Sequence, residues 1–242
     1  RLLISSGSWR ALRHPMPYFW DKSFRHMSTS FSNLAGAVTR DIQQELSPQE
    51  AFGWLEEGHA RFKSQTPRNR DKAAMLEGAS QGQFPYAAVL GCIDSRAPIE
   101  QVFDAAIGDL FVARVAGNVV NPDVLGSLEY ACKYAGTKVI LILGHTSCGA
   151  VGAAWAGVED GNITSLLKKI QPAVEKTRAS HGEEGTPETL NACVAANVTE
   201  MCEALRGQSD ILAGLEADGS IVITGGVYNV ANGEVEFTHK PA

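Results

Sequence analysis

The sequence predicts an α/β fold: a mostly parallel central β-sheet flanked by helices, with an N-terminal helical arm. Three observations predict it. The run YAAVLGC (86–92) is continuously apolar and KVILILGH (138–145) nearly so, which is how a strand reads when both of its faces are covered. Segments of helical spacing separate the strand-like runs, and strand–helix–strand order implies parallel pairing. The 242 residues are 44% apolar, ample for a core beneath such layers.

The elements follow in order. Residues 1–46 read as a basic arm: up to residue 40 it holds Arg1, Arg10, Arg13, Lys22, Arg25 and Arg40 against the single acid Asp21, with Tyr18, Phe19, Trp20 and Phe24 between them. Rich in Ser and Arg and poor in acids, it has the composition of an organelle transit peptide or its remainder, which leans toward mitochondria over the cytoplasm. The same arm could also pack on a neighbouring subunit. A start at Arg1 rather than Met fits trimming.

Residues 47–242 are expected to form one α/β domain. Ser47-Pro48-Gln49-Glu50 offers an N-cap, a proline at the first helical position and a glutamate at the third, so a helix should run to about Gln65 with Phe52, Leu55, His59 and Phe62 on one stripe. After a break at 66–71 and a short helix near 72–80 comes the strand that ends in GCIDSRAP. LFVARV (110–115) reads as a strand, 122–136 as a helix closed by Gly136, and 138–145 as the next strand. Helices at about 148–156, 163–179 and 187–206 follow, then a short helix, a strand and a hairpin around Asn232-Gly233.

Composition excludes several function classes. With 20% charged residues and a net charge of −6, no phosphate-neutralising surface is expected, so no nucleic acid partner. No apolar stretch approaches the ~18 residues of a membrane span. Five irregularly spaced cysteines argue against a disulfide framework. Neither a G-x-G-x-x-G nor a P-loop lysine follows any strand, which removes the nucleotide-binding reading.

The chemistry gathers at two strand ends. Cys92 closes one run, and His145 closes the other with Cys148 three residues later. Ligands of open parallel sheets bind at the carboxyl ends of strands, so the three groups should meet at one edge. A Cys₂His set suits zinc and leaves a fourth position open, as a catalytic site needs. Taken singly, a strand-end cysteine is more often a small core hydrophobe and a histidine a satisfied polar residue; together the three favour metal. In an extended chain Cys92, Asp94 and Arg96 share a face until Pro98. There Asp94 could ligate the metal or accept a hydrogen bond from its water, with Arg96 forked onto it; the blander alternative is a surface ion pair.

GCIDSRAP and GHTSCGAVGAA together resemble the paired signatures Cys-x-Asp-Ser-Arg and His-x-x-Cys-Gly of the β-class carbonic anhydrases, and the likeness extends from about Ser47 to Phe237. The resemblance implies a zinc lyase that interconverts carbon dioxide with bicarbonate and a proton by a zinc-bound hydroxide. Cys92, His145 and Cys148 would hold the zinc, and Asp94 with Arg96 would be the dyad that orients its water. Gln83 would hydrogen-bond substrate, Phe111 and Tyr130 would line a small apolar pocket, and Gly149 would supply a backbone amide beside the metal. The glutamine and aromatic side of that pocket would come from a partner subunit, in a homodimer or a dimer of dimers. Val89 stands where the bicarbonate-regulated branch has tryptophan, which favours the plant-like branch with an open site and Asp94 off the metal. Hydrolysis of carbon disulfide or carbonyl sulfide on the same scaffold, or a non-catalytic structural zinc, are the alternatives. His59, His181 and His239 are candidates to carry the product proton, and Cys132, Cys193 and Cys202 are expected in the core.

Overall fold

In the computed structural model, which describes residues 36–238, five strands form one sheet in the order β2-β1-β3-β4-β5. The strands are β1 (Ala87–Gly91), β2 (Leu110–Arg114), β3 (Val139–His145), β4 (Val222–Tyr228) and β5 (Val235–Phe237). The first four run parallel, and β5 returns antiparallel to β4. The arm's residues 1–35 and His239 lie outside the described residues.

Alternation along the strands builds two cores. Ala88, Leu90, Ile140, Ile142 and Ile223 join a cluster on one face, while Ala87, Val89, Val139, Leu141 and Leu143 join another on the opposite face. Every residue of β1 and β3 is buried, which is why both runs lack a polar alternation. The first face is covered mainly by α5 (Pro122–Lys133), α6 (Gly149–Trp155), α8 (Gln171–His181), α9 (Pro187–Gln208) and α10 (Asp210–Ala217). On the second face lie α1 (Arg40–Glu45), α2 (Pro48–Ser64) and α4 (Ile99–Val102). Helix α3 (Lys72–Ser80) precedes β1, and α7 (Gly161–Leu167) sits between α6 and α8.

The capping signals work as read. Glu50 N–H donates to Ser47 Oγ at 3.2 Å while Ser47 N–H donates to Glu50 Oε2 at 2.9 Å, a reciprocal box at the start of α2. Packing begins earlier than Ser47, because the buried Gln43 of α1 donates to the carbonyls of Pro85 and Ala135.

Two local expectations are corrected. The helix expected over 163–179 is two helices, α7 and α8, separated by a turn at 168–170. Pro172 explains the break: inside a continuous helix it would lack its N–H and crowd the carbonyl of Lys168, so it sits in the first turn of α8 instead. The extended run expected through Arg96 also ends sooner. Asp94 Oδ1 accepts from Arg96 N–H and Asp94 C=O accepts from Ala97 N–H, so the chain turns at Asp94, not at Pro98. No helix among the described residues is long and apolar enough to cross a membrane.

Candidate metal centre

Strand order places the site. Chain direction away from β1 reverses between β1 and β3, the point where a doubly wound sheet opens a crevice at its carboxyl edge. Cys92 follows β1, His145 ends β3, and Cys148 caps α6 immediately beyond. Their ligand atoms lie within 4.8 Å of one another, and they are the one such group of three among the described residues. All three are buried, His145 to 1% exposure.

Each ligand is oriented from behind. The carbonyl of Thr146 lies 3.0 Å from His145 Nδ1 and can only accept, so Nδ1 carries the hydrogen and Nε2 is free to coordinate. Cys92 Sγ accepts from Gly117 N–H at 3.3 Å, in the 3₁₀ turn Ala116–Asn118; Gly117 C=O in turn accepts from Asn197 Nδ2 at 2.9 Å. Arg114, from β2, donates to the carbonyls of Cys92 at 2.9 Å and Asp94 at 2.5 Å, which fixes the chain just past the strand.

The donor chemistry fits a soft cation. A hydrogen bond from Cys148, together with one from Gly117 N–H, draws the Cys92 thiol down to about 4, while the Cys92 sulfur and burial push Cys148 up. One thiolate therefore shares one proton with the second sulfur, and a metal would displace it. Burial lowers the pKa of His145, but the Cys92 thiolate and the Thr146 carbonyl outweigh it and raise the net value. Nε2 is buried without a hydrogen-bond partner, the state of a ligand atom aimed at an ion.

Asp94 stands beside this group. Its Oδ2 is 3.7 Å from His145 Nε2, and Arg96 grips it bidentately, Nε to Oδ1 at 2.9 Å and Nη2 to Oδ2 at 2.7 Å. That fork holds the carboxyl well below the usual carboxylate range, so it is charged at any working pH.

The remaining predicted residues are distributed unevenly. Gly149 opens α6 beside Cys148, but a Cβ there would meet nothing within 4 Å among the described residues. Gln83 precedes β1 at the opposite, amino edge of the sheet, where it lines a 360 Å³ hollow with Tyr130. Phe111 and Tyr130 share a separate 740 Å³ groove along β2. Within one chain, then, these three do not meet the metal group. His59 is committed elsewhere: Nδ1 donates to Val102 C=O at 3.3 Å and Nε2 accepts from Val235 N–H at 3.0 Å. His181 is exposed, with Nδ1 2.8 Å from Ser180 Oγ. Cys132, Cys193 and Cys202 are buried, and burial raises all three thiols, Cys132 and Cys202 to about 12, as core residues would be.

An α/β sheet with a Cys₂His group at its switch point defines a class of metal-site protein rather than a nucleotide binder. The sequence pattern of the family described as carbonic anhydrase matches residues 87–235. The chain is 33% identical over 193 residues to "Carbonic anhydrase 2" of Mycobacterium tuberculosis, covering 77% of this chain and 91% of that one. In structure it is similar to the β-carbonic anhydrase CafA of Aspergillus fumigatus, with a TM-score of 0.63, 26% identity and coverage of 79% of this chain and 90% of that one. It shares its fold with tetrameric β-carbonic anhydrases from Sordaria macrospora, with a TM-score of 0.62, 21% identity and coverage of 76% and 92%. The chain belongs to the β-class carbonic anhydrase family, and it is an enzyme of that kind, a lyase.

Proposed function

We propose that the protein catalyses zinc-dependent, reversible hydration of carbon dioxide to bicarbonate and a proton, with Cys92, His145 and Cys148 as the zinc ligands. One observation carries this: two sulfurs and a buried, unpartnered imidazole nitrogen within 4.8 Å of one another, with a charged carboxylate at their side. Zinc, when bound there, supplies the Lewis acidity that ionises water near neutral pH.

The chain's own residues do the rest. Arg96 keeps Asp94 charged and restricts where it points; Asp94 accepts the hydrogen of the attacking water and so turns a lone pair toward the substrate carbon. Both Asp94 oxygens are engaged by that fork, and Val89 is buried in β1 where the other branch has tryptophan. Both facts support the open, plant-like site, with the fourth position left to water. A structural zinc has no use for such a dyad.

Gln83, Phe111 and Tyr130 are proposed to line the substrate pocket of a second subunit, in a dimer or dimer of dimers. The apolar groove along β2 and the exposed Tyr130 and Ile93 support such an assembly. Stopped-flow hydration with a pH indicator is the test. Zinc-loaded protein should accelerate the reaction far beyond buffer and Cys148→Ser should abolish the gain; a wild-type chain no faster than buffer refutes the assignment.

A further inference from the structure

Only two residues link His145 to Cys148, and the second, Ser147, holds φ at +56°, a left-handed conformation unfavourable for any residue but glycine. Bonds from other elements keep the link in that shape. Thr146 N–H donates to Tyr228 C=O at 2.9 Å, and Thr146 Oγ1 accepts from Val230 N–H at 3.1 Å. Ser147 C=O accepts from Arg96 Nη2 at 3.2 Å, and Ser147 N–H donates to Asn191 Oδ1 at 3.0 Å.

Asn191 reaches this peptide because α9 lies hard against β3. A Cβ on Gly144 would stand 2.7 Å from Val198 Cγ2 and 3.0 Å from Val194 Cγ1. Asn191, Val194 and Val198 are three and four residues apart and share a helix face, so the contact that seats α9 beside Gly144 also delivers Asn191 to Ser147.

We propose that Asn191 is a positioning residue of the metal centre: its side-chain oxygen holds the left-handed Ser147 peptide and thereby keeps Cys148 turned toward Cys92 and His145. The proposal rests on those three residues being the ligands. Without the Asn191 oxygen, Ser147 relaxes toward negative φ, and Cys148, the next residue, is the side chain that moves.

The test follows zinc transfer from the zinc-loaded full chain to a chromophoric chelator, together with the visible spectrum of the cobalt-substituted chain. Asn191→Ala, which favours the helix it sits in, should release zinc about 3- to 10-fold faster, the range for the loss of one neutral hydrogen bond. Its cobalt bands should shift. Asn191→Asp keeps an acceptor oxygen in place and should restore both signals, and Ser147→Gly in the Asn191→Ala background should recover most of the retention by removing the unfavourable φ. Release at the wild-type rate from Asn191→Ala, or an Asn191→Asp chain that leaks as fast as Asn191→Ala, overturns the proposal. A wild-type chain that binds neither metal overturns the ligand assignment, and the role of Asn191 with it.

Discussion

Replacing Arg96 by alanine leaves every proposed zinc ligand in place and removes only the grip on Asp94, together with the bond to Ser147 C=O. Hydration by Arg96→Ala should therefore fall by about 10- to 100-fold, the usual loss when an orienting partner behind a metal site is removed, with zinc content measured alongside to separate orientation from metal loss. His59 makes the opposite point, that a histidine near no metal can still set a pH limit. Burial is the largest influence on its pKa and lowers it, outweighing the bond to Val102 C=O, which pulls the other way; Nε2, which accepts from Val235 N–H, keeps that bond only while the ring is neutral. A base whose folded pKa is depressed lends its full stability above the unfolded value near 6.5 and loses it as pH falls through the folded value. Urea midpoints should drop from pH 7.5 to pH 5 in the wild type and drop less in His59→Gln, whose amide oxygen can accept from Val235 at both pH values. Equal slopes for the two proteins would remove His59 as the cause.

At the scale of elements, the 3₁₀ turn at Ala116–Asn118 is where packing and the metal group meet. Gly117 holds φ at +66°, and a Cβ there would stand 2.7 Å from Ile170 Cδ1 and 3.3 Å from Ala150 Cβ. Gly117→Ala should cost about 2–5 kcal/mol, combining a left-handed alanine with an overpacked contact, and should loosen zinc by displacing the N–H aimed at Cys92 Sγ. Urea unfolding and zinc content check the two effects separately. The metal group itself was legible in the sequence because both of its strands announce themselves by uniform apolarity and end on ligands, and parallel strands deliver their carboxyl ends to one edge. What was not legible is the support around it. Arg114, Asn191 and Asn197 act on backbone atoms 22, 44 and 80 residues away in sequence, and no spacing rule connects a side chain to a distant carbonyl or amide. The turn at Asp94 and the four-residue helix α4 were missed for a local reason: a proline-bearing segment after a strand reads equally well as extended chain.

For the whole molecule, the proposed site raises the question of how residues at both edges of one sheet could serve one substrate. Gln83 lies before β1 and Cys92 after it, and the five residues of that strand span about 17 Å, so the two cannot serve one substrate within a single chain. A second subunit resolves this if it brings its own Gln83 and aromatic residues to the metal group of the first. The molecule offers a surface for it: among the described residues β2 has no partner on its outer edge, and the groove beside it is lined by Phe111, Val112, Ala113 and Leu128, with Tyr130 53% exposed. Sharing of this kind has a signature that mutation of either residue alone lacks. Gln83→Ala should be strongly impaired and Cys148→Ser inactive, each as a pure assembly. When the two are unfolded together and refolded as a mixture, a heterodimer pairs the intact ligand set of the Gln83→Ala chain with the intact Gln83 of the Cys148→Ser chain, so one complete site reappears. Hydration should rise above the average of the separately refolded proteins, toward about a quarter of the wild-type rate for random pairing in dimers of this isologous kind. If Gln83 served the metal of its own chain, every site in the mixture would carry one of the two lesions, and no gain could appear at any mixing ratio.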